Sequence, residues 1–522
     1  MAKSRNVQRY FVPPPVGGLD FRIPTSQLPS INASLLINFH AENGRLKKRN
    51  PHTVALDYQT DSASNCIGIP YFDGTDVKPI LINETKTDDG TNETNTPLNV
   101  VGTRPDWTIF EDTILVPMHN TGEAQQLNPS TLVWSSGITY TLSNSGGRHG
   151  ICHYRERVYI ADGDKIHYGG VGATSGAATS FNVGSLISGN LEGIETISFH
   201  HNNLADQLLV AVSDRGEVLV FQGANPGAAD WSLIQQYQLA FQGDTSNALW
   251  NVEMVKMPND LLLCTKKGYQ IYSVRELLSE NRATQWNQAE SFKSLFLDVT
   301  SMFKTCTYWP ERDKLIAFCR WTSADVPFLD AWGDDGFLEK QSGVVGALFL
   351  IDVKTGAVEI HDIHSPDLTA SSSIEAQPYL IQMQAINDYV LLPVAGGAVR
   401  LFDATDTGNA DDYGDTTYKA AVVFAPPSQL GYRRKAIKSM LAYSNVHTGH
   451  TFKYGVGKNF STDAPDLTTI GTTVSDTSFK THIISGAQID HAPMICLTEE
   501  SNYQTALEIY GLDVLYEEGG EY

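Results

Sequence analysis

Basic residues are scarce. The 522-residue chain carries 37 Lys and Arg against 59 Asp and Glu, a net charge of −22, whereas a protein that grips nucleic acid through its phosphates needs a positive footprint. The imbalance suits solubility at high concentration, and equally a surface that DNA must pass without sticking. Cysteine is scarce too: Cys66, Cys152, Cys264, Cys306, Cys319 and Cys496 are scattered, with no CxxC pair and no Cys/His cluster at zinc spacing. Neither a disulfide framework nor a metal ribbon is expected, and buried reduced thiols are. Long apolar runs are missing. The run from Val344 to Val353 is too short for a membrane span and is broken by Gly346 and Asp352, so no membrane insertion by this chain is expected. Lys3, Arg5 and Arg9 are followed by no apolar segment, which is not the pattern of an ordinary secretion signal.

Catalytic signatures are absent as well. The chain contains no GxSxG elbow, HExxH pair or Walker loop. Gly169-Gly170-Val171-Gly172 precedes no helix with the required Lys and reads as a turn. A propeller glycosidase needs two facing carboxylates. Ser213-Asp214-Arg215-Gly216 is only loosely like the Asp-rich hairpin of sialidase blades, lacks the expected Trp, and is explained by a charge-flanked blade turn. Asp403, Asp406, Asp411, Asp412 and Asp415 could offer oxygen ligands to calcium, but they lack the Gly-then-Glu ending of an EF-hand loop and read as a solvated linker. His200 and His201 are adjacent in a strand-like run and point to opposite faces, which argues against joint ligation. No cofactor, no metal and no enzymatic activity are expected.

What the chain does have is a recurring phrase. An acidic residue near the start of three or four apolar residues, a turn rich in Gly, Asp or Lys, and a second apolar run recur from Asp112, Glu156, Asp206, Asp260, Asp313 and Asp388. With Ile114, Val158, Leu208, Leu261, Leu315 and Val390 as equivalent points, the intervals are 44, 50, 53, 54 and 75 residues. That is the length of one propeller blade. Each unit is a sheet that cannot bury both faces alone, whereas a closed ring of such sheets buries all of them. The spacing predicts a mainly β protein built on a β-propeller of about six blades. Helix is sparse, and Val274 to Asn287 is the best candidate.

The flanks read differently. Residues 1–60 open with Pro13-Pro14-Pro15 and Gly17-Gly18 and read as an N-terminal arm and hairpin: a strand from Ser34 to His40, a turn at Asn43-Gly44, and a basic second strand. Residues 61–402 hold the propeller, whose widest interval absorbs an insert from Thr322 to Ser342. Residues 403–522 carry strand-like runs at Ala420 to Ala425, Ser439 to Tyr443, Thr451 to Val456, Lys480 to Ile484 and Leu507 to Tyr516. These predict a C-terminal β-sandwich or barrel-like unit. Two basic clusters stand out, Arg45, Lys47, Lys48 and Arg49, and Arg433, Arg434, Lys435 and Lys438. Such patches on an acidic protein can position it against acidic neighbours, including copies of itself.

Val16-Gly17-Gly18-Leu19-Asp20-Phe21-Arg22, Leu35-Leu36-Ile37-Asn38-Phe39 and Gly44-Arg45-Leu46-Lys47-Lys48-Arg49 together resemble the opening of the nozzle proteins of short-tailed bacteriophages, also called tail tubular protein B or packaged-DNA stabilisation proteins. The ending from Ala506 to Gly520 is similar to the closing strand and acidic, Gly-rich tail of that family, and Arg433-Arg434-Lys435 to the basic step before its late strands. His40 departs from the pattern, since many relatives carry another aromatic residue or Pro after the Phe. The resemblance implies a structural protein of the virion tail, assembled in the host cytoplasm. It implies a homo-hexamer bound to a tail adaptor protein and near fibres or spikes, whose channel retains and then conducts double-stranded DNA without binding it specifically. Asn38, Phe39, Arg45, Lys47, Lys48, Arg49, Arg433, Arg434 and Lys435 are the expected subunit or partner contacts. The alternatives are a virion-associated propeller glycan hydrolase and a monomeric protein-binding propeller.

Overall fold

The computed structural model describes residues 7–19, 29, 31–49, 53–57, 66–72, 74–75, 77–83, 86–97, 106–118, 121–144, 149–201, 204–239, 252–265, 270–280, 286, 303–322, 344–362, 381–382, 384–386, 389–394, 397–402, 420–424, 435–445, 452–457, 468–470, 480–485, 489–490, 494–499 and 507–518. Seven sheets, built mainly of antiparallel strands, follow one another along the chain as blades. Their first strands are Cys66–Phe72, Thr108–Phe110, Ile151–Tyr154, Leu191–His201, Val252–Met257, Phe303–Trp309 and Gln384–Ile386. Strands Ile151–Tyr154, Leu191–His201, Val252–Met257, Phe303–Trp309 and Gln384–Ile386 pack in that order, and Gln384–Ile386 returns to Cys66–Phe72. Thr108–Phe110 lies against Ile151–Tyr154 and the first and second blades share one apolar cluster, so the ring is closed. The six phrase copies mark the second to seventh blades, and the first lies ahead of them.

The phrase has a physical reason. Successive strand residues point to opposite faces, and a blade is covered on both. In the second blade Ile114 and Val116 meet Ile67 and Ile80 of the first, while Leu115 meets Val158 and Ile160 of the third. In the fourth, Leu209 and Ala211 meet Tyr159 and Ala161 of the third, while Val210 and Val212 meet Leu261 and Leu263 of the fifth. An uninterrupted apolar run is what two covered faces require.

Closure is made from both ends of the propeller. Thr53–Asp57 is the outermost strand of the seventh blade, with Gly397 opposite Asp57 and Arg400 opposite Thr53. Ile381–Gln382 adds in parallel to the first blade at Cys66 and Ile67. Within the expected helical span, Val274–Glu280 is helical and Trp286 is not, while residues 281–285 and 287 lie outside the described residues. The helix start is capped in the Ser-x-x-Glu manner, with the Glu276 N–H donating to Ser273 Oγ at 3.0 Å. Thr322, the expected start of the insert, ends the strand Lys314–Thr322, and residues 323–342 and the Asp-rich linker from Asp403 to Asp415 lie outside the described residues.

The described residues ahead of Thr53 join the C-terminal strands. Ala33–Ile37 lies between Val358–Asp362, the outer strand of the sixth blade, and Ala420–Phe424. This extends the blade into a nine-stranded sheet that continues through Met494–Glu499, Phe452–Gly457 and Thr468–Ile470. A second sheet holds Phe39–Glu42, Arg45–Lys48, Glu508–Glu518, Lys435–Asn445 and Lys480–Ser485, with Val7–Val12 also on Glu508–Glu518. These two sheets form the sandwich-like unit. Residues 34–40, expected as one strand, are two: the chain bends at Asn38 and passes from one sheet to the other.

Candidate functional site

Ala33–Ile37, the hairpin Phe39–Lys48 and the start of the closing strand Glu508–Glu518 meet near this bend. Asn38 has φ 58°, a left-handed conformation that Asn tolerates better than other residues with a Cβ. Its N–H donates to the Ile360 carbonyl and its carbonyl accepts from the Arg49 N–H, both at 2.9 Å. Arg49 Nε donates to Asn38 Oδ1 at 2.9 Å as well. The turn that brings Arg49 back is the expected hairpin: Asn43 and Gly44 both have positive φ, 49° and 77°, the geometry that Asn-Gly supplies. Pairing then alternates the second strand, so Leu46 and Lys48 face inward while Arg45 and Lys47 are half-buried. Arg45 Nη1 reaches Glu508 at 2.9 Å on the closing strand, and the Lys48 N–H donates to the Leu507 carbonyl.

One residue beyond Phe39 lies an ionic joint. Glu359 and His361 share one face of Val358–Asp362 and are buried. Lys314 Nζ donates to Glu359 Oε1 at 2.6 Å, the Ala41 N–H to the same oxygen at 2.8 Å, and His40 Nδ1 lies 3.0 Å from Oε2. His361 Nε2 is 3.5 Å from Oε2. The two imidazoles lie 4.5 Å apart by centroid, and Phe402 meets both edge-on and stacks on Trp309. Arg312 lies over Trp309 and pairs with Glu42 at 3.0 Å. The hairpin is thereby tied to the sixth blade at three points.

Charge in this joint is fixed by burial and neighbours. Burial pushes the Glu359 carboxyl up, but Lys314 and the hydrogen bonds from His361 and His40 outweigh it and hold it well below the usual carboxylate range. Burial, reinforced by His361 and Lys314, holds His40 well below its ordinary value. Burial is also the main cause lowering His361 to about 4. Both rings are neutral at pH 7. The donor atoms of His40, Glu359 and His361 lie within 4.8 Å of one another, a set that suits a transition metal. Lys314 already supplies the neutralising charge at Glu359, and Arg49 adds positive potential at His361. The arrangement is that of a joint rather than a cation site.

The expected contact residues divide accordingly. Asn38, Phe39, Lys48 and Arg49 are buried within the chain, so the role at a neighbour's surface expected from their charge and pattern does not extend to these four side chains. Arg45 and Lys47 keep partial exposure. Lys435 starts a strand opposite Glu518 on one side and Asp490 on the other, while Arg433 and Arg434 lie outside the described residues. Glu359, His361 and Lys314 were not singled out by sequence. The signal for Glu359 and His361 is polar residues at alternate positions of the apolar strand Val358-Glu359-Ile360-His361.

Carboxylates on or just ahead of the blades' first strands serve the ring itself. Asp106 Oδ2 accepts from the Ile151 N–H at 3.2 Å, Glu192 Oε2 from the Val252 N–H at 3.2 Å, and Glu253 Oε2 from the Cys306 N–H at 3.1 Å. Each carboxylate ties its blade to the first strand of the next.

No family model matches the chain. No curated protein matches it. Among solved structures it is similar to Kuenenia stuttgartiensis hydrazine synthase, at 9% identity and TM-score 0.34, over 63% of this chain and 79% of that one. It is also similar to BBS1N in its complex with ARL6DN, at 9% and 0.39, over 68% and 98%, and to Chaetomium thermophilum Raptor, at 13% and 0.38, over 72% and 28%. Likeness this low says nothing about function.

Proposed function

We propose that the chain is a structural component of a virion tail, the nozzle of a short-tailed bacteriophage. Six copies would form a ring beneath an adaptor and beside fibres or spikes, and its channel would hold and then conduct the genome. The observation that carries this reading is the meeting of the two ends. The apolar-Asn-Phe and Gly-x-Leu-basic segments, which follow one another early in the sequence, and the acidic closing strand more than 450 residues later bear the resemblance and are adjacent in one sandwich-like unit. A propeller closes between them. The net charge of −22 fits the proposed passage, because like charge keeps DNA moving rather than adhering.

The hydrolase alternative needs free facing carboxylates. Asp106, Glu192 and Glu253 are instead engaged with backbone N–H groups of the next blade, which favours the structural reading. Mass measurement of the full-length chain tests it. Hexameric rings, alone or on the adaptor, are expected. A chain that stays monomeric in both settings and cleaves a surface glycan would replace this reading with the hydrolase one.

A further inference from the structure

We infer that the entry strand Val7–Val12 is exchanged between copies, each lying on the closing strand Glu508–Glu518 of its neighbour in the ring proposed above, on which this inference rests. The strand pairs antiparallel with the closing strand, Val7 opposite Glu517 through Val12 opposite Leu512. Its side chains reach the C-terminal strands: Arg9 pairs with Asp513 and donates to Tyr443 Oη at 3.2 Å. The Tyr516 hydroxyl donates to Gln8 Oε1 at 2.7 Å. Phe11 lies against Tyr443 and over Gly511, whose φ of 134° and missing Cβ make room for its ring. Every one of these groups exists in every copy, so a neighbour offers the same register and the same ion pair.

Two contrasts single out this strand. The hairpin strand Arg45–Lys48 uses the same edge of the closing strand, at Leu46 opposite Ile509, but is held in its own protomer by Asn38, Arg49 and the Glu359 joint. The entry strand is held through its pairing with the closing strand, the Arg9–Asp513 pair and the Tyr516–Gln8 bond, each of which a neighbouring copy can supply, and only Val12 of its six residues is buried. Val7 and Phe11 are 55% and 49% exposed. Immediately after it the chain is anchored. Pro14 and Pro15 are buried, Gly18 sits so close to Val358 that a Cβ would meet its backbone at 2.7 Å, and the Leu19 N–H donates to the Val358 carbonyl. A stiff Pro13 between a fixed anchor and a strand whose named partners lie on the C-terminal strands is the form of an exchangeable arm. Arg9, a cation on an acidic chain, gives the arm a charge-matched target in Asp513.

The test is a full-length chain carrying Val7→Cys and Glu517→Cys, which face each other across the pairing. Oxidised in assembled rings and separated without reductant, it should yield covalent ladders of two or more chains, with none from either single variant. Rings that yield only the internally bridged monomer would overturn the exchange and leave the ring reading standing. A chain that never forms rings would overturn both. A chain lacking residues 2–12 should unfold as cooperatively as the full chain but form rings about a hundredfold less tightly, the scale of lost multivalent contact. Undiminished ring formation by that chain would contradict the inference.

Discussion

Arg49 holds Asn38 twice, once from its backbone N–H to the Asn38 carbonyl and once from Nε to Oδ1. Both residues are buried, and the pair fixes the left-handed bend that carries the chain between sheets. Asn38→Ala loses the side-chain bond and places an ordinary Cβ at positive φ, with an expected cost of about 2 to 4 kcal/mol. Asn38→Gly loses only the bond and should cost about 1 kcal/mol less than the alanine variant. Urea unfolding of both variants measures the difference. Equal losses would show that the backbone conformation is not what Asn38 provides.

The Glu359 joint makes a second prediction. Glu359→Gln leaves Lys314 buried without its counter-charge, and such a break costs about 3 to 5 kcal/mol. Adding Lys314→Met removes the stranded ammonium, so the double variant should recover most of the loss. A double variant as unstable as the single one would mean that the pair is not the coupled unit described here.

Stability should also fall on mild acidification. Burial keeps His40 and His361 below the ordinary 6.5 in the folded chain, His361 at about 4. Below that ordinary value the unfolded chain binds protons that the folded one refuses, so stability drops as pH falls from about 6.5 to 4. Glu359, held well below 4.5, adds a further loss as pH falls through and below the unfolded carboxyl range. His361→Leu should flatten the upper part of this slope in unfolding free energies measured between pH 7.5 and 4.5. An unchanged slope would place the acid sensitivity elsewhere.

Gly511 offers a local test of the entry strand. A Cβ there would lie 2.6 Å from the Phe11 ring and 2.8 Å from the Val12 carbonyl, so Gly511→Val should dislodge Val7–Val12. Limited proteolysis should then release the first residues several-fold faster while the propeller stays intact, since Gly511 pairs with Tyr443 within the C-terminal sheet. Equal cleavage rates would show that the strand is held by contacts other than those with the closing strand.

The architecture was legible where faces repeat locally. Six blades announce themselves because a strand covered on both sides needs consecutive apolar residues after a turn. The first blade escapes this pattern: Pro70 and Pro79, opposite each other in its first two strands, and Gly68 break up the apolar runs. The outermost strand of the seventh blade, Thr53–Asp57, escapes too, since a strand supplied from the other end of the chain leaves no local mark. The hairpin at Asn43-Gly44 could be read from turn chemistry, yet the bend at Asn38 could not, because Leu-Leu-Ile-Asn-Phe scans as one strand. Basic residues suggested an outward patch; register puts Lys48 inward, and Arg49 turns in to meet Asn38. The meeting of His40, Lys314, Glu359 and His361 is set by which sheets lie together, and that is tertiary information.

The central claim, that this chain is a ring-forming piece of a virion tail, is tested most directly by imaging assembled particles with the chain labelled at its C-terminus. The account predicts six-fold density around an axial channel at the far end of the tail, with six labels per particle. Labels absent from particles, or scattered as single copies with no axial ring, would contradict it.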